Sequence, residues 1–226
     1  MRITYLGHSG FSVETAGLRL LIDPFLTGNP SAPVLASKIS CDYILCSHGH
    51  DDHIGDALEI ARRCGATVIS NFEISEFLGE QGAKTHGMNP GGTHDFPFGR
   101  VKLTLAHHSS SHIEGGKITY LGEPCGILIS SGARTLYHAG DTALFLDMQL
   151  IARAGIDVAL LPIGDNFTMG PADALDALDI LRPKVAVPMH YNTWPLIAQN
   201  GAKFAAEAAV RGHAVRALKP GESLEV

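Results

Sequence analysis

Apolar and polar positions alternate with a period of two through much of the first fifty residues, the pattern of half-buried β-strands. Ile3–Leu6, Phe11–Glu14, Leu18–Ile22 and Tyr43–Ser47 read as strands, with turn-like Gly7-His8-Ser9-Gly10 and Ala16-Gly17 between them. The spacing then changes. Asp56–Cys64 predicts a helix, with Leu58, Ile60 and Ala61 on a partial apolar face. Thr67–Ser70 reads as a strand, Ile74–Gln81 as a short helix, and Gly91-Gly92 as a turn. Val101–Ala106, Gly126–Ser130 and Thr135–Tyr137 are further strands. The last third alternates helices (Leu146–Ala154, Pro171–Leu181, Ala202–Arg211) with strands (Val158–Leu161, Val185–Val187, Ala214–Ala217). Pro171 opens its helix, where a missing N–H costs nothing. Strand pairs early and strand–helix alternation late predict a layered α/β fold with mixed sheets.

Composition narrows this picture only slightly. A chain of 226 residues with 45% hydrophobic content and no linker or repeat fits one domain, residues 1–226. The net charge is −6, and Lys and Arg are scattered, so a nucleic-acid partner is not expected. No apolar run approaches the ~18 residues of a membrane span, so no membrane segment is expected. The first residues run straight into a strand pattern with no signal core. Cys41, Cys46, Cys64 and Cys125 show no CxxC pairing and read as small apolar residues of a cytoplasmic protein.

The chemistry is concentrated in His48-Gly49-His50-Asp51-Asp52-His53, directly after the apolar Ile44-Leu45-Cys46. In extended chain, positions 48 and 50 face the same way, so two imidazoles can share one metal ion. A turn into helix would aim Asp52 and His53 at a second ion close by. Crowded polar rings at a strand end are costly without a partner, and a structural zinc site would use cysteine. One run cannot fill two coordination spheres. The further candidates each lie just beyond an apolar strand: His107-His108, Asp141 in His138-Ala-Gly-Asp-Thr, and His190 in Pro188-Met-His-Tyr-Asn.

These phrases, with Leu6-Gly-His-Ser-Gly, Ile22-Asp-Pro-Phe and Pro162-Ile-Gly-Asp-Asn-Phe-Thr-Met-Gly-Pro, resemble the metallo-β-lactamase superfamily along the whole chain. More narrowly they resemble its small metal-dependent hydrolases of unassigned substrate. That group is related to ascorbate-6-phosphate lactonase and, more distantly, to the phospholipase D that hydrolyses N-acylphosphatidylethanolamine. The resemblance implies a four-layer αβ/βα sandwich with two mixed sheets. It also implies two divalent ions, zinc or manganese first and nickel third. His48, His50 and His108 would hold one ion, Asp52, His53 and His190 the other, with Asp141 shared. His108 is chosen over His107 because it precedes Ser109 as the family ligand does; His107 would be an ordinary half-buried histidine on the other face.

The implied reaction is attack by a metal-bridging hydroxide on an ester, lactone or phosphoester of a small or medium substrate. A lactone or sugar phosphate is the first guess. Asp52 or Asp141 would steer the nucleophile and take its proton, and His8 would be a pocket residue beside them; the plainer reading of His8 is a turn residue. Asp23 either orients a ligand imidazole or merely opens a turn before Pro24. His138, Asp165, Asn166, Thr168, Tyr191, Asn192 and His112 are candidates for supporting or lining the site, and Asp51 is expected either to support a ligand from behind or to face solvent. The rival functions are a di-iron redox protein and a non-catalytic metal-binding module. Every expected histidine is present, which favours hydrolysis over both. A homo-oligomer is expected from the resemblance alone.

Overall fold

Successive strand side chains do face opposite ways in the computed structural model, which describes residues 1–226. The chain runs through β1 (Arg2–Tyr5), β2 (Phe11–Thr15), β3 (Leu18–Ile22), β4 (Tyr43–Leu45), α1 (Asp51–Ile54), α2 (Ala57–Cys64), β5 (Thr67–Asn71), α3 (Phe72–Glu80) and β6 (Lys84–Met88). It continues through β7 (Thr93–Phe96), β8 (Gly99–Leu105), β9 (Ser111–Glu114), β10 (Lys117–Tyr120), β11 (Cys125–Ser131) and β12 (Arg134–His138). The last part holds α4 (Met148–Ala152), β13 (Val158–Pro162), α5 (Pro171–Leu181), β14 (Val185–Met189), α6 (Gly201–Val210) and β15 (Ser223–Glu225).

Seven strands form one sheet in the order β15-β1-β2-β3-β4-β5-β6, and six form a second in the order β14-β13-β12-β11-β8-β7. Both are mixed. β1, β2 and β3 pair antiparallel, whereas β3 to β6 pair parallel. In the second sheet β7, β8, β11 and β12 are antiparallel, and β12, β13 and β14 are parallel. β9 and β10 form a separate hairpin.

Three apolar layers hold four layers of structure together. Leu20, Ile22, Leu45 and Ile69 of the first sheet meet Leu103, Ile127, Leu160 and Val187 of the second in the central core. Their neighbours Leu21, Ile44 and Val68 point outward under Ile60 and Ala61 of α2 and Ile74 and Leu78 of α3. On the far side Tyr137, Ala159, Leu161 and Ala186 pack under α4, α5 and α6. The order is helix, sheet, sheet, helix. β4, β13 and β14 read as near-continuous apolar runs because both of their faces are covered, and β5 is equally buried although it carries Thr67, Ser70 and Asn71.

The direction of the strands decides where the site forms. β8 and β12 both run antiparallel to β11, and β12, β13 and β14 are parallel, so β8, β12, β13 and β14 end at the same edge. Residues just past those ends, with those past β3 and β4 opposite, gather in one crevice, as is usual at the carboxyl ends of strands.

Several expectations need correction. Ala214–Ala217 is not a strand; only Val215 bridges to Ala186, because the segment crosses the edge of β14 at one point. The strand at Tyr43–Ser47 ends at Leu45, since Cys46 to His50 leave the sheet to carry the site. The helix at Leu146–Ala154 shrinks to one turn and a half, and Asp56 flanks its helix rather than entering it. β6, β7, β9, β10 and β15 were not anticipated, being edge or hairpin strands with little buried apolar surface. All four cysteines are free, with Cys41 beside Cys64. No helix is long and apolar enough to cross a membrane.

Candidate metal centre

The run after β4 is extended up to His50 and then winds into α1, as the spacing suggested. His48 Nε2 and His50 Nδ1 stand 3.0 Å apart. Gly49 between them has to be glycine: a Cβ there would lie 2.7 Å from the Leu121 side chain. The single turn of α1 sets Asp52 and His53 side by side, with His53 Nε2 3.9 Å from Asp52 Oδ2. His108 follows β8, and its ring lies 5.1 Å from those of His48 and His50. His190 follows β14 with φ +55°, and its backbone N–H donates to the His8 carbonyl at 2.7 Å. Gly164, after β13, leaves room for it, because a Cβ there would strike the His190 carbonyl.

Three overlapping groups of potential metal-ligating atoms result: His48 with His50 and His108, His8 with Asp52, His53 and His190, and Asp23 with His48 and His53. The first two open toward the cleft, and the third lies behind them, where Asp23 bonds the His53 ring and Ser47. Asp141 joins the first two. Its Oδ2 lies 2.9 Å from His190 Nε2, 3.4 Å from His53 Nε2 and 3.6 Å from His108 Nε2. One carboxylate oxygen therefore faces rings of both groups.

The electrostatics favour a cation. Burial holds the His48 ring well below its ordinary pKa, and it lowers His50 and His108 too, leaving neutral imidazoles with free lone pairs. Burial alone would raise the pKa of Asp141, but the rings of His190 and His53 keep it well below the carboxylate range. His53 is the opposite case. Burial disfavours its charge, yet Asp141, Asp52 and Asp23 draw positive charge to this ring, proton or metal ion, and raise its pKa well above normal. His53 Nε2 and Asp141 Oδ1 are buried and have no hydrogen-bond partner. Orphaned buried atoms of this kind are costly, and the N and O donor set suits a divalent ion, so the residues fit a metal centre.

Asp23 is more than a turn former. Its Oδ2 accepts from His53 Nδ1 at 2.8 Å and from Ser47 Oγ at 2.6 Å. Because Ser47 gives its hydroxyl proton to Asp23, its oxygen is left to accept from His48 Nδ1 at 3.0 Å. One buried carboxylate thus fixes two ring tautomers and leaves both Nε2 lone pairs aimed inward. His138 is buried behind it, donating from Nε2 to the Ser9 carbonyl and accepting from the Gly140 N–H just before Asp141. His8 donates from Nε2 to Asp52 Oδ2 at 3.0 Å and accepts from Thr193 Oγ1 at 2.7 Å. Burial lowers its pKa to about 4, so the ring is neutral.

Other expected participants lie elsewhere. His107 is exposed rather than half-buried and packs against Phe145 on the other side. Asp51 faces out and bonds His112, tying the β9–β10 hairpin to α1. The Asp165 carboxylate accepts from the Asn166 N–H, the Asn192 side-chain amide oxygen accepts from the Gln199 N–H, and Tyr191 packs against Gly201. In their place Phe25, Phe167, Trp194 and Leu196 line the cleft, which has a volume of about 710 Å³ and reaches His50, Asp52, His108, Asp141 and His190. Sequence reasoning missed these four and Ser47; only the position of Ser47, next to the run, offered a signal. A hollow of similar size, about 720 Å³, lies between Arg2, Glu14, Arg19 and Asp42, with no such gathering of ligands.

Comparison with known proteins gives the family. Residues 2–190 match the model of the β-lactamase superfamily domain, and the chain belongs to that superfamily. Within it, the chain is a metal-dependent hydrolase. It is 54% identical over 223 residues to a UPF0173 metal-dependent hydrolase of Carboxydothermus hydrogenoformans, covering 98% of each chain. A second such hydrolase, of Opitutus terrae, is 51% identical over the full length of both. The solved structure of Igni18, a metallo hydrolase of Ignicoccus hospitalis, superposes with a TM-score of 0.91 at 40% identity, covering 100% of this chain and 98% of the other.

Proposed function

We propose that residues 1–226 form a single cytoplasmic metallo-hydrolase domain that cleaves an ester, lactone or phosphoester of a small or medium substrate at a two-metal centre. The observation that carries this reading is Asp141 Oδ2, which faces His108 of one ligand group and His53 and His190 of the other. His48, His50 and His108 would hold one ion, and Asp52, His53 and His190 the second, with Asp141 between. Zinc and manganese suit this donor set best, nickel next. Bound divalent ions supply water activation near neutral pH and polarise the attacked oxygen.

The chain's own residues do the rest. Asp52 is the one carboxylate of the cluster open to the cleft, its side chain 26% exposed, and it is placed to take a proton from an incoming water. His8 holds Asp52 Oδ2 with a neutral N–H and is itself held by Thr193, so the carboxylate keeps its orientation through turnover. Asp141, fully enclosed, holds its charge against the histidines. A di-iron redox reading gains nothing here, since no carboxylate replaces any of the expected histidines.

The deciding experiment is metal quantification of protein purified without added metal, followed by an ester, lactone and phosphodiester panel. Two equivalents of metal with turnover of at least one class is the expected result. Full metal content with no turnover across the panel would overturn the catalytic reading. Asp23→Asn is expected to lower metal affinity or turnover by about 10–100-fold through loss of ring orientation. Isothermal titration with zinc checks this, and an unchanged affinity and rate would remove Asp23 from the support of the site.

A further inference from the structure

The wall of the cleft differs in chemistry from its floor. Phe25, Phe167, Trp194 and Leu196 form the wall, and no lysine or arginine lines the cleft. Phe167 is 53% exposed, Trp194 37% and Leu196 62%, so three large apolar side chains stand in water around one opening. They come from two loops that the fold holds in place, Phe167 from one and Trp194 with Leu196 from the other. The loop carrying Trp194 is fixed by Thr193 on His8, by the Asn192 N–H on the Ile197 carbonyl and by the Gln199 N–H on Asn192 Oδ1. The Trp194 ring packs 4.9 Å from His8 and 6.2 Å from Phe25, centre to centre. Phe167 sits in a tight loop closed by the Asp165 N–H on the Met169 carbonyl. The remaining charged groups at the mouth, Asp51 and Asp52, are carboxylates.

We propose that this cleft selects an uncharged carboxylic ester or lactone whose acyl part is an apolar chain or ring. The inference rests on the hydrolase reading above and narrows it. The electrophilic carbonyl goes to the His and Asp floor, and the apolar remainder is covered by Trp194, Phe167, Phe25 and Leu196. Water adds to the acyl carbon, the acyl C–O bond breaks, and the products are a carboxylic acid and an alcohol, or one hydroxy acid from a lactone. A lactone that also carries a phosphate fits poorly, because with its carbonyl on the floor the phosphate would lie against apolar rings and two carboxylates with no lysine or arginine to meet it. A cleft of this size, mostly apolar with a few convergent polar groups, is typical of a small-molecule site.

The test keeps the reacting atoms constant. The metal-loaded protein is given 4-nitrophenyl butyrate, the 4-nitrophenyl monoester of succinate and that of 4-aminobutyrate, which share carbonyl and leaving group and differ in end charge. The neutral ester is expected to have a kcat/KM at least about tenfold above either charged one. Lengthening the acyl chain from acetate to hexanoate should lower KM by roughly two- to fourfold per methylene. Phe167→Ala and Leu196→Ala, neither of which touches His8, should erase most of that chain-length dependence. Equal or faster cleavage of a charged ester overturns the proposal while leaving the hydrolase reading intact.

A second readout does not need turnover. Trp194 is the only tryptophan, so emission of the whole protein reports on the cleft. Titration with N-phenylbutanamide should shift that emission saturably, and phenyl phosphate should not displace the amide. If no ester is cleaved, the hydrolytic reading fails and the emission decides the cleft's preference; no shift with the amide overturns it.

Discussion

Dialysis against a strong chelator will take hydrolysis to the background rate and lower the midpoint of thermal unfolding by about 5–10 °C. The stability part follows from what the centre contains. His48, His53, Asp141 and His190 are almost wholly buried, and with Asp23 they bring two carboxylates and three rings into one small volume. Asp141 Oδ1 and His53 Nε2 have no hydrogen-bond partner in the protein, so the fold relies on a ligand to compensate them. A ligand present at a hundred times its dissociation constant stabilises the native state by about 2.7 kcal/mol. For a domain of this size each kcal/mol moves the midpoint by roughly 2–4 °C. Differential scanning calorimetry with and without chelator measures the shift, and stoichiometric zinc or manganese should restore both midpoint and rate. Undiminished turnover at less than a tenth of an equivalent of metal would sink the metal-centred reading.

The same physics explains how much of the site was legible in the sequence. His48, His50, Asp52 and His53 stood out because, with Asp51, they make five ligand-type side chains in six positions, which have no cheap place in a core. His108, Asp141 and His190 were legible because each follows a strand apolar enough to be recognised, and β8, β12 and β14 end at one edge. The wall was not legible. Phe25, Phe167, Trp194 and Leu196 are lone apolar residues in loops, and only tertiary structure brings them to one opening. Thr193 and Ser47 were hidden for another reason: a hydroxyl bonding a ring nitrogen leaves no periodic trace.

The fold divides along similar lines. The buried parallel strands β4, β13 and β14 announced themselves as apolar runs, and β5 by its β-branched Thr67, Val68 and Ile69. β6, with Lys84, Thr85 and His86, lies at a sheet edge, and β9–β10 exposes Ile113, Ile118 and Tyr120; neither buries enough to set a pattern. Ala214–Ala217 had a strand-like composition, yet its backbone meets β14 only around Ala186, where Ala186 N–H donates to Ala214 and Arg216 N–H to Ala186. Strand propensity without a partner in register does not extend a sheet.

Asp141→Asn is expected to reduce kcat by about a thousandfold or more while the protein stays folded. The amide keeps the shape of the carboxylate but removes its charge and one of its two oxygens. Asp141 Oδ2 alone faces three ring nitrogens within 3.6 Å, so the amide presents to both ligand groups either an uncharged oxygen or an NH2 group that cannot act as a ligand. Several kcal/mol of charge stabilisation depend on such a centre, and each 1.36 kcal/mol is tenfold in rate. The folded state should survive because the strands that carry the site close on a central core of Leu160, Ile127 and Leu45 that Asp141 does not enter. Metal analysis should find no more than one tightly held ion per chain, and far-UV circular dichroism should match the parent. Asp165→Asn is the matched control: the residue is exposed and its carboxylate bonds only the Asn166 N–H, so the rate should stay within about twofold of the parent. A variant Asp141→Asn that keeps two ions and more than a tenth of the activity would show that the two ligand groups work without a shared carboxylate, and the role assigned to Asp141 would fall.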